Sequence, residues 1–280
     1  MRIAVVTDST ADLPSDATAS GDLFVVSLSV AFGDDVHVAG VDLGADDFYS
    51  RLQTSDVLPV TSQPSPQAFD DLYAACAEQG FDHVLSVHCS SELSGTHDVA
   101  SQRAPHAPVD VEVVDSRLVG GALGLAVLRA LRVAQDTGDP AQARAAVDRV
   151  RDGVVGLLIV DTLGFLRRGG RLSGAQAAVG TALNVKPVLG VVDGRVEVVD
   201  RARTSRRAFE RAVELAVEGA GASAVDACVV HASAPGRASA LEARLSQQVA
   251  IASQWRATIG PIVGTHVGPG AVGLAVVPAE

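Results

Sequence analysis

Aromatic residues make up 4% of this 280-residue chain, with one tryptophan and two tyrosines. A core cannot rest on stacked rings and must be assembled from Val, Ala and Leu, which the 48% hydrophobic content and a mean hydropathy of +0.27 supply. Cysteine is scarce: Cys76, Cys89 and Cys228 form no CxxC pair, and an odd, widely spaced set reads as reduced thiols of a cytoplasmic protein. Basic residues are outnumbered 22 to 33, giving a formal net charge of −11. That excludes a nucleic-acid backbone as partner, because neutralising phosphates needs a basic face, but it leaves room for a small anion held by local dipoles. No apolar run approaches the ~18 residues of a membrane span, so no stable membrane insertion is expected. The first run, Ile3–Val6, meets Asp8 too early to be a leader.

Chemical engines are missing too. There is no GxxxxGK[ST] loop and no GxGxxG after a strand, and GxSxG fails because Glu92 stands where a glycine is required. Asp46-Asp47 and Asp70-Asp71 sit in helical segments and read as solvated surface; Asp8 has no second carboxylate beside it to hold a metal. No cofactor is expected.

What is present is a βαβαβ alternation through the first half: strands at Ile3–Val6, Leu23–Val30 and Val84–Cys89, helices after Ser65-Pro66 and from about Ser94, then a strand at Val109–Val114. That is the pattern of a parallel α/β sheet. The length favours two domains, with the boundary just before Gly153. In the second half, Asp193-Gly194 between apolar runs signals a hairpin. Residues 260–273, with their glycines, prolines and His266, imply a constrained loop.

Three hydroxyl-rich loops follow apparent strands: Thr7–Thr10, Ser90–Thr96 and Asp115-Ser116. Ligands bind beyond the carboxyl ends of strands in open α/β sheets, so all three are placed on one rim. Thr61-Ser62-Gln63-Pro64-Ser65 has the same chemistry and opens a helix. Helix capping alone explains any single loop; several together, in a chain rich in apolar residues, point to an amphiphile with its head group on N–H and hydroxyl donors and its tail in an apolar slot. Arg167, Arg168 and Arg171 form a basic cluster that fits a phosphate, a partner protein or a solvated turn. His266 sits among glycines that let backbone approach a ligand.

Val6–Pro14, Thr61–Pro66, Leu93–Thr96, Leu166–Ser173, Asn184–Leu189 and Gly260–Gly270 stand in the order of the DegV family, and the sequence resembles that family along almost its whole length. These are bacterial fatty-acid-binding proteins that include the carrier subunit of fatty acid kinase. The resemblance implies two α/β domains: an N-terminal parallel-sheet, Rossmann-like domain over residues 1–152 and a C-terminal domain with a mixed sheet over 153–280. It implies a long-chain fatty acid such as palmitate or oleate as ligand, its carboxylate at Thr61, Ser62, Ser94 and Gly95 with His266 and Arg171 nearby. It also implies presentation of that acid to a separate fatty acid kinase catalytic subunit, with no catalysis by the carrier itself. Glu92 and His97 depart from the family pattern, which commonly has Gly and an aromatic there. The competing readings are a lipid-acting serine hydrolase working through Ser94 and a small-phosphate binder built on the arginine cluster.

Overall fold

The computed structural model describes residues 1–172 and 185–280; Ser173 and Asn184, the ends of two stretches discussed above, lie outside the described residues. A four-stranded sheet has the order β2-β1-β6-β7, from Leu23–Val26, Ile3–Asp8, His83–His88 and Asp110–Asp115, and every pair is parallel. β1 and β6 are buried at all six positions, which is why their apolar residues fall on both faces rather than alternating.

The second sheet has six strands in the order β10-β9-β8-β13-β11-β12. They are Arg195–Ala202, Lys186–Val192, Val155–Ile159, Val272–Pro278, Ala224–His231 and Ala250–Thr258. All its pairs are antiparallel except β11 with β12, so the sheet is mixed. β9 and β10 are joined through Asp193 (φ 48°) and Gly194 (φ 81°), the double left-handed turn that matches strand twist in a tight hairpin.

Between the sheets runs the helix Gly121–Thr137. One apolar cluster takes Val5 and Leu85 from the parallel sheet, Leu123 and Val127 from this helix, and Cys228 and Ala275 from the mixed sheet. Glycine sets the approach: a Cβ on Gly121 would stand 2.6 Å from Cys228 Sγ, and one on Gly124 2.7 Å from the Ala11 carbonyl.

A third, small antiparallel sheet, β4-β3-β5, comprises Asp35–Val38, Ser29–Phe32 and Val60–Ser62. The apolar stretch Leu23–Val30, expected as one strand, is thus split between two sheets at 27–28. Residues 261–267 also depart from expectation: they form a short helix, not a loop, with Pro261 in its first turn. Its Gly264 is required by packing, since a Cβ there would lie 2.6 Å from Tyr49 Oη and 2.8 Å from the Phe48 ring. β12 was not foreseen at all; as a sheet edge it is largely exposed and carries Gln254 and Arg256 within its run.

Candidate functional site

β1, β6 and β7 are adjacent and parallel, so the loops after them share one rim as expected. Most of their hydroxyls are consumed within the rim. Thr10 donates through both N and Oγ1 to Asp8 Oδ1 (3.1 and 2.6 Å), Ser116 Oγ donates to the His88 carbonyl (2.6 Å), and Ser90 Oγ donates to the Gly194 carbonyl (2.8 Å). The N–H groups of Leu93 and Ser94 donate to the Ser90 carbonyl. Those N–H groups therefore close the loop on itself instead of converging on an anion.

Beneath the rim Asp8 is fully buried. Its Oδ2 meets His88 Nδ1 (3.1 Å) and the Cys89 N–H (3.0 Å), and His88 Nε2 continues to Ser86 Oγ (2.8 Å) and so to Tyr73 (2.9 Å). Burial alone would raise the Asp8 pKa; the His88 bond and charge, with Thr10 and Cys89, hold it below its ordinary value. Asp8 and His88 thus fix two strand ends and do not line the cavity between the sheets.

A cavity opens between the sheets. Its walls are apolar, with Leu28, Leu158, Leu189, Val230, Ile262 and Leu274 among them, and besides Thr10 and Asp12 from the loop after β1 four polar residues join the lining: Thr61, Ser94, Arg171 and His266. A closed circuit of contacts brings these four together. Thr61 Oγ1 lies 3.0 Å from His266 Nε2. The His266 ring is seated on Gly169, where a Cβ would come within 2.2 Å of Nδ1. Arg171 Nη1 donates to the Gly169 carbonyl (2.6 Å) and Nε to the Leu93 carbonyl (3.2 Å), beside Ser94. Gly95 then packs on Gln63, two residues from Thr61, so closely that a Cβ would fall 2.0 Å from Oε1. Ser94 Oγ is 2.8 Å from Thr96 Oγ1.

The other two expected site residues fall outside the cavity lining. Ser62 is exposed, because alternation along β5 turns it away from Thr61. Gly95 serves the close approach to Gln63. The arginine cluster is divided: Arg171 turns inward, while Arg167 and Arg168 are exposed, Arg168 lying 4.7 Å over the Phe165 ring. Glu92 reaches Arg195 on the hairpin (2.7 Å), and His97 meets Asp98 (3.3 Å). The Glu92 departure thus ties the central loop to the mixed sheet.

Burial, and secondarily the Arg171 charge, push the His266 pKa down to about 4, so the imidazole is neutral near pH 7. One lining residue escaped the sequence reading. Asp12, at φ 43°, accepts the Gly260 N–H (2.9 Å) while its Oδ2 is buried without a partner among the described residues. Burial, opposed in part by the Gly260 bond, raises its pKa to about 7. No single residue type announces such a role; a left-handed aspartate is visible only in the backbone. No helix among the described residues is long and apolar enough to cross a membrane, and no cluster of metal-ligating side chains occurs among them.

The model of the DegV family, described as one of uncharacterised proteins, matches residues 2–279. The chain belongs to the DegV family. A DegV domain-containing protein of Streptomyces coelicolor is 40% identical over 276 residues, 98% of each chain. A DegV family protein from Thermus thermophilus, whose structure is described for its fatty acid binding, superposes with a TM-score of 0.93 at 33% identity over the whole of both chains. DegV of Bacillus subtilis, described as a fatty acid binding protein, superposes with a TM-score of 0.90 at 30% identity, again over the whole of both. The T. thermophilus and B. subtilis proteins bind fatty acids, and the two-domain α/β architecture is shared.

Proposed function

We propose that this chain binds one long-chain fatty acid, holds its carboxylate at Thr61, Ser94, Arg171 and His266, and presents that carboxylate unaltered to an ATP-dependent kinase for acyl-phosphate formation. The observation that carries the reading is the circuit that gathers Thr61, Ser94, Arg171 and His266 in a cavity whose lining is otherwise mostly apolar. The fatty-acid-binding DegV proteins of T. thermophilus and B. subtilis support it. We further assign residues 1–152 and 153–280 as the two domains, with the tail between them, and the cytoplasm as the location.

Each polar group has a distinct part. A neutral His266 donating from Nε2 to Thr61 Oγ1 leaves the Thr61 proton for a carboxylate oxygen. That tautomer also leaves an acceptor, not a donor, unpaired at Nδ1, the less costly of the two. Arg171 supplies the positive charge that an apolar cavity otherwise lacks. Ser94, with Thr96 beside it, offers the second hydroxyl. Tail burial dominates affinity: a sixteen-carbon chain gains about 10 kcal/mol at ~0.8 per methylene before ordering costs, against ~1.5–3 kcal/mol per charge-assisted hydrogen bond. The polar end therefore sets orientation more than strength.

A hydrolase reading is disfavoured because the groups it needs are already paired apart, Ser94 with Thr96 and His266 with Thr61. Reconstitution of the loaded protein with a fatty acid kinase catalytic subunit and ATP tests the proposal. Acyl phosphate should accumulate only with both proteins present; acid release or ester turnover by the isolated chain would replace it with an enzymatic role.

A further inference from the structure

The small sheet that carries Thr61 has two unlike faces. Val30 and Phe32 of β3 are buried, and Thr61 pairs with Val30 on that inner side. On the outer side Ala31 is flanked by Val36 of β4 and Val60 of β5, one cross-strand row, and Val36 is 61% and Val60 64% exposed. Val38, two residues on along β4, shares that side, and Val41, Val57 and Leu58 in the segments flanking the strands are likewise exposed, Val41 at 76%. Scattered exposed valines are ordinary, but three on one sheet, with three more exposed apolar residues in the segments that flank its strands, are a contact surface. Exposed carboxylates neighbour these side chains in the chain, Asp34 before β4, Asp42 beside Val41 and Asp56 beside Val57, while Asp35 alternates to the inner side with Phe32. On that inner side Arg51 pairs with Asp35 over the Phe32 ring, and His37 meets Asp35 and Asp42.

We infer that the outer face of the β4-β3-β5 sheet is the docking surface for the kinase that receives the fatty acid, through a protein face with an apolar centre and a Lys/Arg rim. The inference rests on the proposed function. The rim charge selects this occupant. A second copy would bring Asp34, Asp42 and Asp56 onto the same carboxylates, and an anionic bilayer would be repelled both by them and by a chain of net charge −11. Position selects it too: β5 is an edge strand, and a protein seated on Val60 covers the back of the strand whose front carries Thr61. The partner is thereby brought to the head-group end of the cavity, and the carboxylate-binding residues themselves remain free for the ligand.

The test compares fatty-acid-loaded wild type with a Val36→Asp/Val60→Asp double variant, using the kinase catalytic subunit and ATP. The variant should keep one fatty acid per chain and its melting temperature, with KM for the carrier raised about ten-fold or more and kcat nearly unchanged. An Asp34→Lys/Asp56→Lys variant should raise KM less and flatten its salt dependence. Wild-type KM in the valine variant overturns the inference, as does a wild-type dimer that the same variant dissociates. If loaded wild type itself is not used by the kinase, presentation fails and this surface loses its assigned partner, whereas fatty acid binding stands.

Discussion

Thr61 Oγ1 and His266 Nε2 lie 3.0 Å apart although 205 residues separate them in the chain. Neither element positions the pair alone. β5 turns Thr61 inward by alternation, and the helix Pro261–Val267 is pressed onto Phe48 and Tyr49 through Gly264. Tyr49 also donates its hydroxyl to the Ile259 carbonyl (3.0 Å), fixing the entry to that helix. The bond joins the small sheet to the segment behind the cavity.

Ser94→Ala removes one hydroxyl from the head-group end and leaves the apolar walls intact. Fatty acid affinity should fall by about ten- to a hundred-fold, the worth of one charge-assisted hydrogen bond. Acyl-phosphate formation in the reconstituted assay should fall further, because the carboxylate loses its fixed orientation. Equal losses in the two measurements would deny Ser94 an orienting part.

Gly169→Ala acts on His266 without touching its chemistry. The added Cβ would fall 2.2 Å from Nδ1 and 2.9 Å from Cε1 of a buried ring, so the imidazole must move off Thr61. The expected result is destabilisation of about 1–3 kcal/mol together with weaker head-group selectivity, read as a smaller affinity gap between a fatty acid and its methyl ester. An unchanged gap would separate His266 from carboxylate recognition.

The two unusual titrations have opposite signs. His266 has a folded pKa of about 4 against 6.5 when unfolded, so between those values the unfolded chain binds the extra proton and stability rises with pH. Relative to His266→Gln, denaturant unfolding should show wild type gaining roughly 1.4 kcal/mol per pH unit across that window.

Asp12 has a folded pKa of about 7 against 3.8, so there the folded chain binds the extra proton and stability falls as pH rises. Asp12→Asn keeps an oxygen for the Gly260 N–H and should be the more stable protein above pH 7, with the difference growing by roughly 1.4 kcal/mol per unit from pH 4 to 7. A pH-independent difference would mean that the carboxyl is not held protonated.

Local chemistry made much of this legible in advance. Ser65 accepts from the Ala68 N–H at the start of its helix, Asp139 from Ala141, and Asp193-Gly194 makes the hairpin. Apolar residues on both faces marked β1 and β6, because both faces are covered. What composition could not carry was tertiary. β12 lacks alternation because it is an exposed edge, and Pro261–Val267 reads as a loop until Phe48 and Tyr49 are seen to demand its glycine. Ser62 looked equivalent to Thr61 until strand alternation turned it outward. Asp12 was one hydrophilic residue in a loop until its backbone and its burial set it apart.

Native mass spectrometry of the purified chain, followed by solvent extraction of what it holds, bears most directly on whether this protein carries an acyl chain. The account predicts one intact long-chain acid per chain, retained in Ser94→Ala and depleted when bulk is added to the apolar wall, as in Gly156→Leu. A chain that emerges empty and cannot be loaded with palmitate or oleate, or one that holds a phosphate ester instead, would contradict it.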